Sequence, residues 1–197
     1  MSPDTEDDRF IAGFLAGDSS AFDRLVRKHA AWATRFAVRL LRDRDAAEDV
    51  VQESFLRVYR SLANYRGTAA FRTYLYRVVL NAARDSASRS IRDEGFLESM
   101  RERARASEPT RFEEPGADVE GDELGGRVAA LVARLPRAQR ETLTLRVHEG
   151  LAYRDIAEVL GVSVNAVKGN LAAARSRLAQ WLGITPGNRV ADKELDR

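Results

Sequence analysis

Apolar positions keep three- and four-residue steps over two stretches of the chain and lose that rhythm between them. From Phe22 to Leu40, the residues Phe22, Leu25, Val26, Ala33, Phe36, Ala37 and Leu40 follow the period of an amphipathic helix. A second helix is expected from about Asp45, read as its N-cap with Glu48 three residues on, through Val50, Val51, Phe55, Val58 and Leu62. Residues 63–69 read as a loop, and a third helix from about Ala70 turns Leu75, Val78, Val79 and Ala82 inward. Three helices patterned in this way can share one core.

From Ser86 the period fades. Residues 92–126 are charged and punctuated by Pro109, Pro115, Gly116, Gly121, Gly125 and Gly126, which is the composition of a linker. Helical spacing returns with Val128, Leu131, Val132 and Leu135, stops at Pro136, and resumes through Leu143 and Val147 to an expected C-cap at Gly150. No alternation of the β type runs to a useful length. The pattern therefore predicts an all-α chain of two small helical domains. Its expected parts are an acidic arm over 1–17, a domain over 18–91, a flexible acidic linker over 92–126, a second domain over 127–182 and a tail over 183–197. The first eight residues and the segment after Leu182 are expected to lack fixed structure.

Within the second domain, Ala157, Gly161 and Val167 stand at the spacing of a helix-turn-helix. The alanine lets two helices approach, the glycine can take the left-handed conformation of a tight turn, and the valine fills the angle between the helices. Ser163 is the natural N-cap of the second of these helices. Its inward stripe is Val164, Val167, Leu171, Ala174 and Leu178, which leaves Asn165, Ala166, Lys168, Gly169, Ala172, Ala173, Arg175 and Ser176 outward for a major groove. In the first domain, Tyr74, Arg77, Asn81 and Arg84 set an aromatic ring, two guanidinium groups and an amide along one stripe. Such a set suits single-stranded DNA: rings and guanidinium planes stack on bases, arginines pair with phosphates and an amide reads a base edge.

Charge sharpens this picture. The chain has 197 residues and a net charge of +2, but residues 1–21 sum to −4, 22–92 to +8, 93–128 to −6 and 129–182 to +4. Two basic blocks alternating with acidic ones suit two nucleic-acid-facing domains joined by an acidic connector. The chain has no cysteine, which excludes disulfides and thiolate nucleophiles, and His29 and His148 are too few and too far apart in sequence for a metal cluster, so neither cofactor nor metal is expected. No phosphate-binding glycine loop and no catalytic histidine motif stand out, which argues against an enzyme. No apolar run is long enough to span a bilayer and the first residues are acidic, so the expectation is a cytoplasmic protein without membrane insertion. A stand-alone helix-turn-helix regulator is the alternative, and its first half should then offer a ligand pocket or a dimer seam.

In sequence order, several motifs resemble the extracytoplasmic-function sigma factors of bacterial RNA polymerase over 18–89 and 131–182. Gly17-Asp18, Ala21-Phe22 and Leu25 resemble that family's opening helix. Asp45-Ala46-Ala47-Glu48-Asp49-Val50-Val51-Gln52-Glu53-Ser54-Phe55 is similar to its polymerase-binding helix, and Phe71 to Arg77 with Asn81 and Asp85 to its minus-ten reader. Leu135-Pro136, Tyr153, Ile156-Ala157, Leu160-Gly161 and Val167-Lys168 resemble its minus-thirty-five reader.

The resemblance implies a sigma factor that binds core RNA polymerase through Asp45, Glu48, Asp49, Gln52, Glu53 and Phe55. It implies capture of an unpaired minus-ten base by Asn64, Tyr65, Arg66, Tyr74, Arg77, Asn81 and Arg84, which would favour the melted over the paired strand. Upstream duplex contacts would fall to Ser163, Asn165, Ala166, Lys168, Gly169, Ala172 and Arg175. It also implies an anti-sigma partner. Two departures stand out: Tyr74 replaces the family's usual tryptophan, and Gly169-Asn170 and Ala172-Ala173 replace its serine-arginine and histidine-arginine pairs. Upstream recognition should then lean on backbone contacts, Lys168, Arg175 and DNA shape.

Overall fold

The computed structural model describes residues 5–65, 67, 70–104 and 123–183, and the described residues are helical with no strand among them. The chain forms two compact units, Met1–Glu113 and Glu114–Arg197.

The first unit holds α1 (Thr5–Leu15), α2 (Ser19–Leu41), α3 (Arg44–Ser61) and α4 (Phe71–Ala104), with a 3-10 turn over Leu62–Asn64. Asp18 caps α2 by accepting a hydrogen bond from the Ser20 amide at 2.9 Å. Arg42 closes the same helix in the left-handed conformation, its N–H donating to the Val38 carbonyl at 2.7 Å. That closure leaves Asp43 extended, and its carboxylate accepts from the Ala46 amide at 3.0 Å. Asp43 rather than Asp45 is therefore the N-cap of α3; Asp45 lies inside the first turn, where its charge favours the positive end of the helix dipole.

The core sits where α2, α3 and α4 converge. Trp32 and Phe36 of α2 meet Tyr76 of α4 edge-on, at 4.3 and 5.1 Å between ring centres, and Leu25, Val58, Leu62, Leu75 and Val79 are fully buried around them. Of the expected inward residues of α4, Val78 is only half-buried, while Phe71, Tyr76, Leu80 and Ala83 join the core. Burying rings of this size contributes on the order of 1.5–3 kcal/mol each.

Two boundaries differ from those expected. The acidic arm is not structureless from residue 5 onward: α1 packs on α2, with Ile11 and Asp7 buried. The stretch expected as a linker from residue 92 carries helix α4 on to Ala104, and α5 already begins at Glu123. Residues 105–122 and the tail after 183 lie outside the described residues.

The second unit holds α5 (Glu123–Ala133), α6 (Arg137–Leu143), a π-helical turn over Thr144–His148, α7 (Tyr153–Leu160) and α8 (Val164–Trp181). Pro136 precedes α6, as its missing N–H allows at a helix start. Gly150 is left-handed at φ 67°, but the cap of the π turn is Glu149, one residue before the position expected. Gly161 takes φ 69° at the end of α7, and Ser163 caps α8 by accepting from the Ala166 amide at 3.2 Å. Ile156, Val167, Leu171 and Leu145 form the core, while Val164 and Leu178 of the expected stripe are half-buried. Among the described residues no helix is long and apolar enough to cross a membrane.

Candidate nucleic-acid interface

In the first unit the candidate residues fall on two faces. On α3, Asp45, Glu48, Asp49 and Gln52 are exposed. Glu53 is half-buried and already engaged: Arg57 donates to it from Nε at 2.8 Å and from Nη1 to Asp85 of α4 at 2.8 Å. The Arg57 hydrogen bond holds the Glu53 carboxyl below its usual range, and the same two carboxylates push Arg57 further up. Asp49, Glu53, Arg57 and Arg89 line an open groove between α3 and α4.

Phe55, read as a contact residue, is 7% exposed and belongs to the core, on the buried stripe of α3 with Ala47, Val50, Val51, Ser54 and Val58. Pattern reading passed over Leu56 and Tyr59, each 51% exposed. They continue the four- and three-residue steps of Asp45, Asp49 and Gln52, so the exposed face of α3 passes from acidic to apolar along its length. That spacing was readable in the sequence.

At the head of α4 the aromatic residues gather. Tyr65 lies 5.2 Å from Tyr74 and 5.9 Å from Phe71, ring centre to ring centre. The Tyr74 hydroxyl shares a hydrogen bond with Ser61 at 2.8 Å, which ties the start of α4 to the end of α3. Arg77 is exposed, its guanidinium 5.9 Å from the Tyr74 ring centre. One turn on, Asn81 is exposed and accepts a long hydrogen bond, 3.4 Å, from half-buried Arg84. Asn64 is exposed just before this cluster, and Arg66 lies outside the described residues. The four stripe residues thus share one face, beside a ledge of rings.

In the second unit, α8 packs on α6 and α7 and turns Asn165, Ala166, Lys168, Gly169, Ala172 and Arg175 outward, with the Ser163 cap exposed at its start. The Lys168 ammonium stands 5.8 Å from the Tyr153 ring centre, and Arg146 lies 4.8 Å from the same ring. Tyr153 therefore gathers two cations near the start of α7. Asn170 is half-buried and donates to Thr142 of α6 at 3.4 Å, so it serves the packing of α8 rather than its outer face. Beyond the adjacent residues and backbone of its own helix, a Cβ at Gly169 would meet no atom within 4 Å. No group of acidic residues and histidines among the described residues is placed to hold a metal ion.

Comparison with known proteins agrees with this division. Sigma-70 region 2 matches residues 25–105, and Sigma-70 region 4 matches residues 126–178. The RNA polymerase sigma-H factor of Pseudomonas aeruginosa is 34% identical over 186 residues, covering 92% of this chain and 96% of that one. The extracytoplasmic-function sigma factor SigM of Mycobacterium tuberculosis is 32% identical, covering 90% of this chain and 85% of its own. Among solved structures, CnrH in complex with the cytosolic domain of CnrY is similar with a TM-score of 0.64 and 26% identity, over 90% of this chain and 97% of that one. Region 2 carries the aromatic and guanidinium face of α4, region 4 carries the helix-turn-helix, and the chain belongs to the extracytoplasmic-function sigma factors of bacterial RNA polymerase.

Proposed function

We propose that this sigma factor binds core RNA polymerase through the exposed face of α3 and selects promoters with two separate readers. Asp45, Glu48, Asp49 and Gln52 supply the polar part of the polymerase contact, and Glu53 joins it from within its ion pair with Arg57. The head of α4 takes an unpaired minus-ten base: Tyr65 and Tyr74 offer ring surface, Arg77 a phosphate partner and Asn81 a base-edge partner. Asn64, just before this helix, and Arg84 border the same site, and Arg66 is assigned to it from the sequence alone. The outer face of α8 holds duplex DNA upstream through Lys168, Arg175 and the capped helix start.

Capturing an extruded base favours the melted over the paired state, so binding free energy alone drives local unwinding. On this reading the chain is a specificity subunit rather than an enzyme, uses no cofactor and works in the cytoplasm beside the polymerase. A regulatory anti-sigma protein that covers these faces fits the same scheme, since CnrH, which this chain resembles, was solved bound to the cytosolic domain of CnrY. The observation that carries the reading is the shared face of Arg77 and Asn81 beside the Tyr65–Tyr74 ledge.

The test is multi-round transcription from a genomic fragment library with purified core polymerase, with and without this protein. New start sites sharing a two-part upstream motif are expected. If the protein neither binds core polymerase nor adds start sites, the reading fails and a stand-alone helix-turn-helix regulator takes its place.

A further inference from the structure

The first unit contains a buried polar contact that neither reader uses. Asp7 of α1 is 2% exposed, and both of its carboxylate oxygens stand 3.0 Å from Nε2 of His29, which is 6% exposed on α2. Lys28 donates to Asp7 at 2.9 Å and to Glu6 at 2.8 Å, so the carboxylate is paired on two sides. Burial works to raise the Asp7 carboxyl, but the hydrogen bonds and charges of His29 and Lys28 outweigh it and keep the group below its usual range.

A carboxylate enclosed in this way is orientationally fixed, because each oxygen must keep its partners or remain buried without them. The His29 ring also lies 5.4 Å from the ring of Phe71, the first residue of α4, centre to centre, at a tilt of 55°. Phe71 in turn meets the rings of Tyr65 and Tyr74, at 5.9 and 6.1 Å. A continuous set of contacts thus runs from the N-terminal helix to the aromatic ledge.

We propose that Asp7 is a positioning residue for minus-ten capture, acting through the His29 ring on Phe71 and so on the placement of Tyr65 and Tyr74. The inference rests on the sigma reading given above. It assigns α1 a role in strand opening that is separable from polymerase docking, because the exposed docking residues of α3 take no part in the Asp7 contacts.

The experiment uses full-length protein in holoenzyme on a promoter found by the transcription mapping. It reads permanganate reactivity of unpaired minus-ten thymines at saturating holoenzyme, and affinity for core polymerase by competition. Asp7→Ala should lower thymine reactivity roughly five- to tenfold while core affinity stays within about twofold of wild type. Asp7→Asn, which keeps the side-chain shape and one hydrogen bond to Nε2, should retain at least half of the wild-type signal.

Thermal unfolding by circular dichroism checks that each variant is folded at the assay temperature. If Asp7→Ala is not, His29→Phe replaces it with the same expected split, since it keeps a ring against Phe71 and deletes the bond to Asp7. Equal losses of reactivity and core affinity, unchanged reactivity, or Asp7→Asn as weak as Asp7→Ala would each overturn the proposal. Wild-type holoenzyme that opens no promoter would instead sink the sigma reading itself.

Discussion

On the proposed reading, the head of α4 and the outer face of α8 offer DNA different chemistry. At α4, Arg77 and Asn81 stand exposed beside the rings of Tyr65 and Tyr74, and Tyr74 is tied down by Ser61. At α8, the middle of the outer face is Gly169 and Ala172, with Lys168 and Arg175 to either side and Asn170 turned toward Thr142. One surface has planar groups that can hold a base released from the stack. The other has, apart from Asn165 and the Ser163 cap near its start, mainly backbone, methyl groups and a few cations, which suits contact with phosphates and groove shape. On the same proposed reading, specificity in this protein is weighted toward the melted strand.

The largest effect should come from α4. Arg77→Ala combined with Asn81→Ala should reduce open complexes more than tenfold, or over about 1.4 kcal/mol, as measured by abortive initiation on a selected promoter. Lys168→Ala should cost only about two- to fourfold in the same assay. Equal losses from the two sites would end the claim that the readers are unequally weighted.

Next comes Tyr74, where ring and hydroxyl can be separated. Tyr74→Ala should weaken binding of an unpaired minus-ten strand by about 1–3 kcal/mol, the worth of one base–aromatic stack. Tyr74→Phe should leave that binding nearly intact and instead lower folding stability by about 0.5–1.5 kcal/mol through the lost Ser61 partner. Strand affinities measured by fluorescence anisotropy and urea unfolding curves check the pair; a Phe variant as poor as the Ala variant would assign the work to the hydroxyl.

How far this arrangement could be read from the sequence depended on how local its causes are. The helix-turn-helix was legible because its signals lie within a few residues of what they fix: Gly161 takes the left-handed turn and Ser163 caps the next amide run. Much of the α2 core, and Leu75, Val79 and Ala82 of α4, followed from apolar spacing in the same way, whereas Tyr76 and Leu80 joined the α4 core from outside the expected stripe. The cap of α3 was misplaced by two residues because two aspartates compete there, and the choice between them depends on the left-handed Arg42 that closes the helix before. Phe55 fitted both a core stripe and a contact motif, and only packing decides between them.

Least legible was α1. Its acidic composition suggested a solvated arm, whereas Asp7 is held by a histidine 22 positions away, a distance no local pattern spans. The extension of α4 to Ala104 was hidden by the opposite effect. The apolar rhythm ends near Ser86, but arginine, glutamate and alanine favour helix without needing a core.

A gain of function should sharpen the contrast from the other side. Ala172 is exposed on α8, so Ala172→Arg adds a cation to a face that has few. Affinity of holoenzyme for upstream duplex should rise a few-fold at low salt, and the slope of log affinity against log salt should steepen by about one. An unchanged slope would mean that this part of α8 does not face the phosphates.

The smallest effect on DNA is expected at Gly169, and there the absence of an effect is informative. A glycine inside a helix costs on the order of 1 kcal/mol relative to alanine, and beyond the adjacent residues and backbone of its own helix the added methyl group would meet no atom within 4 Å. Gly169→Ala should therefore raise the stability of the second unit by about 1 kcal/mol in chemical unfolding, with upstream duplex affinity unchanged. If affinity falls instead, the bare backbone at Gly169 is what lets DNA approach α8 closely, and the glycine is retained for that contact at the expense of helix stability. The two measurements on one variant thus separate a helix that has merely lost its side-chain arms from one whose close approach to DNA depends on having none at that turn.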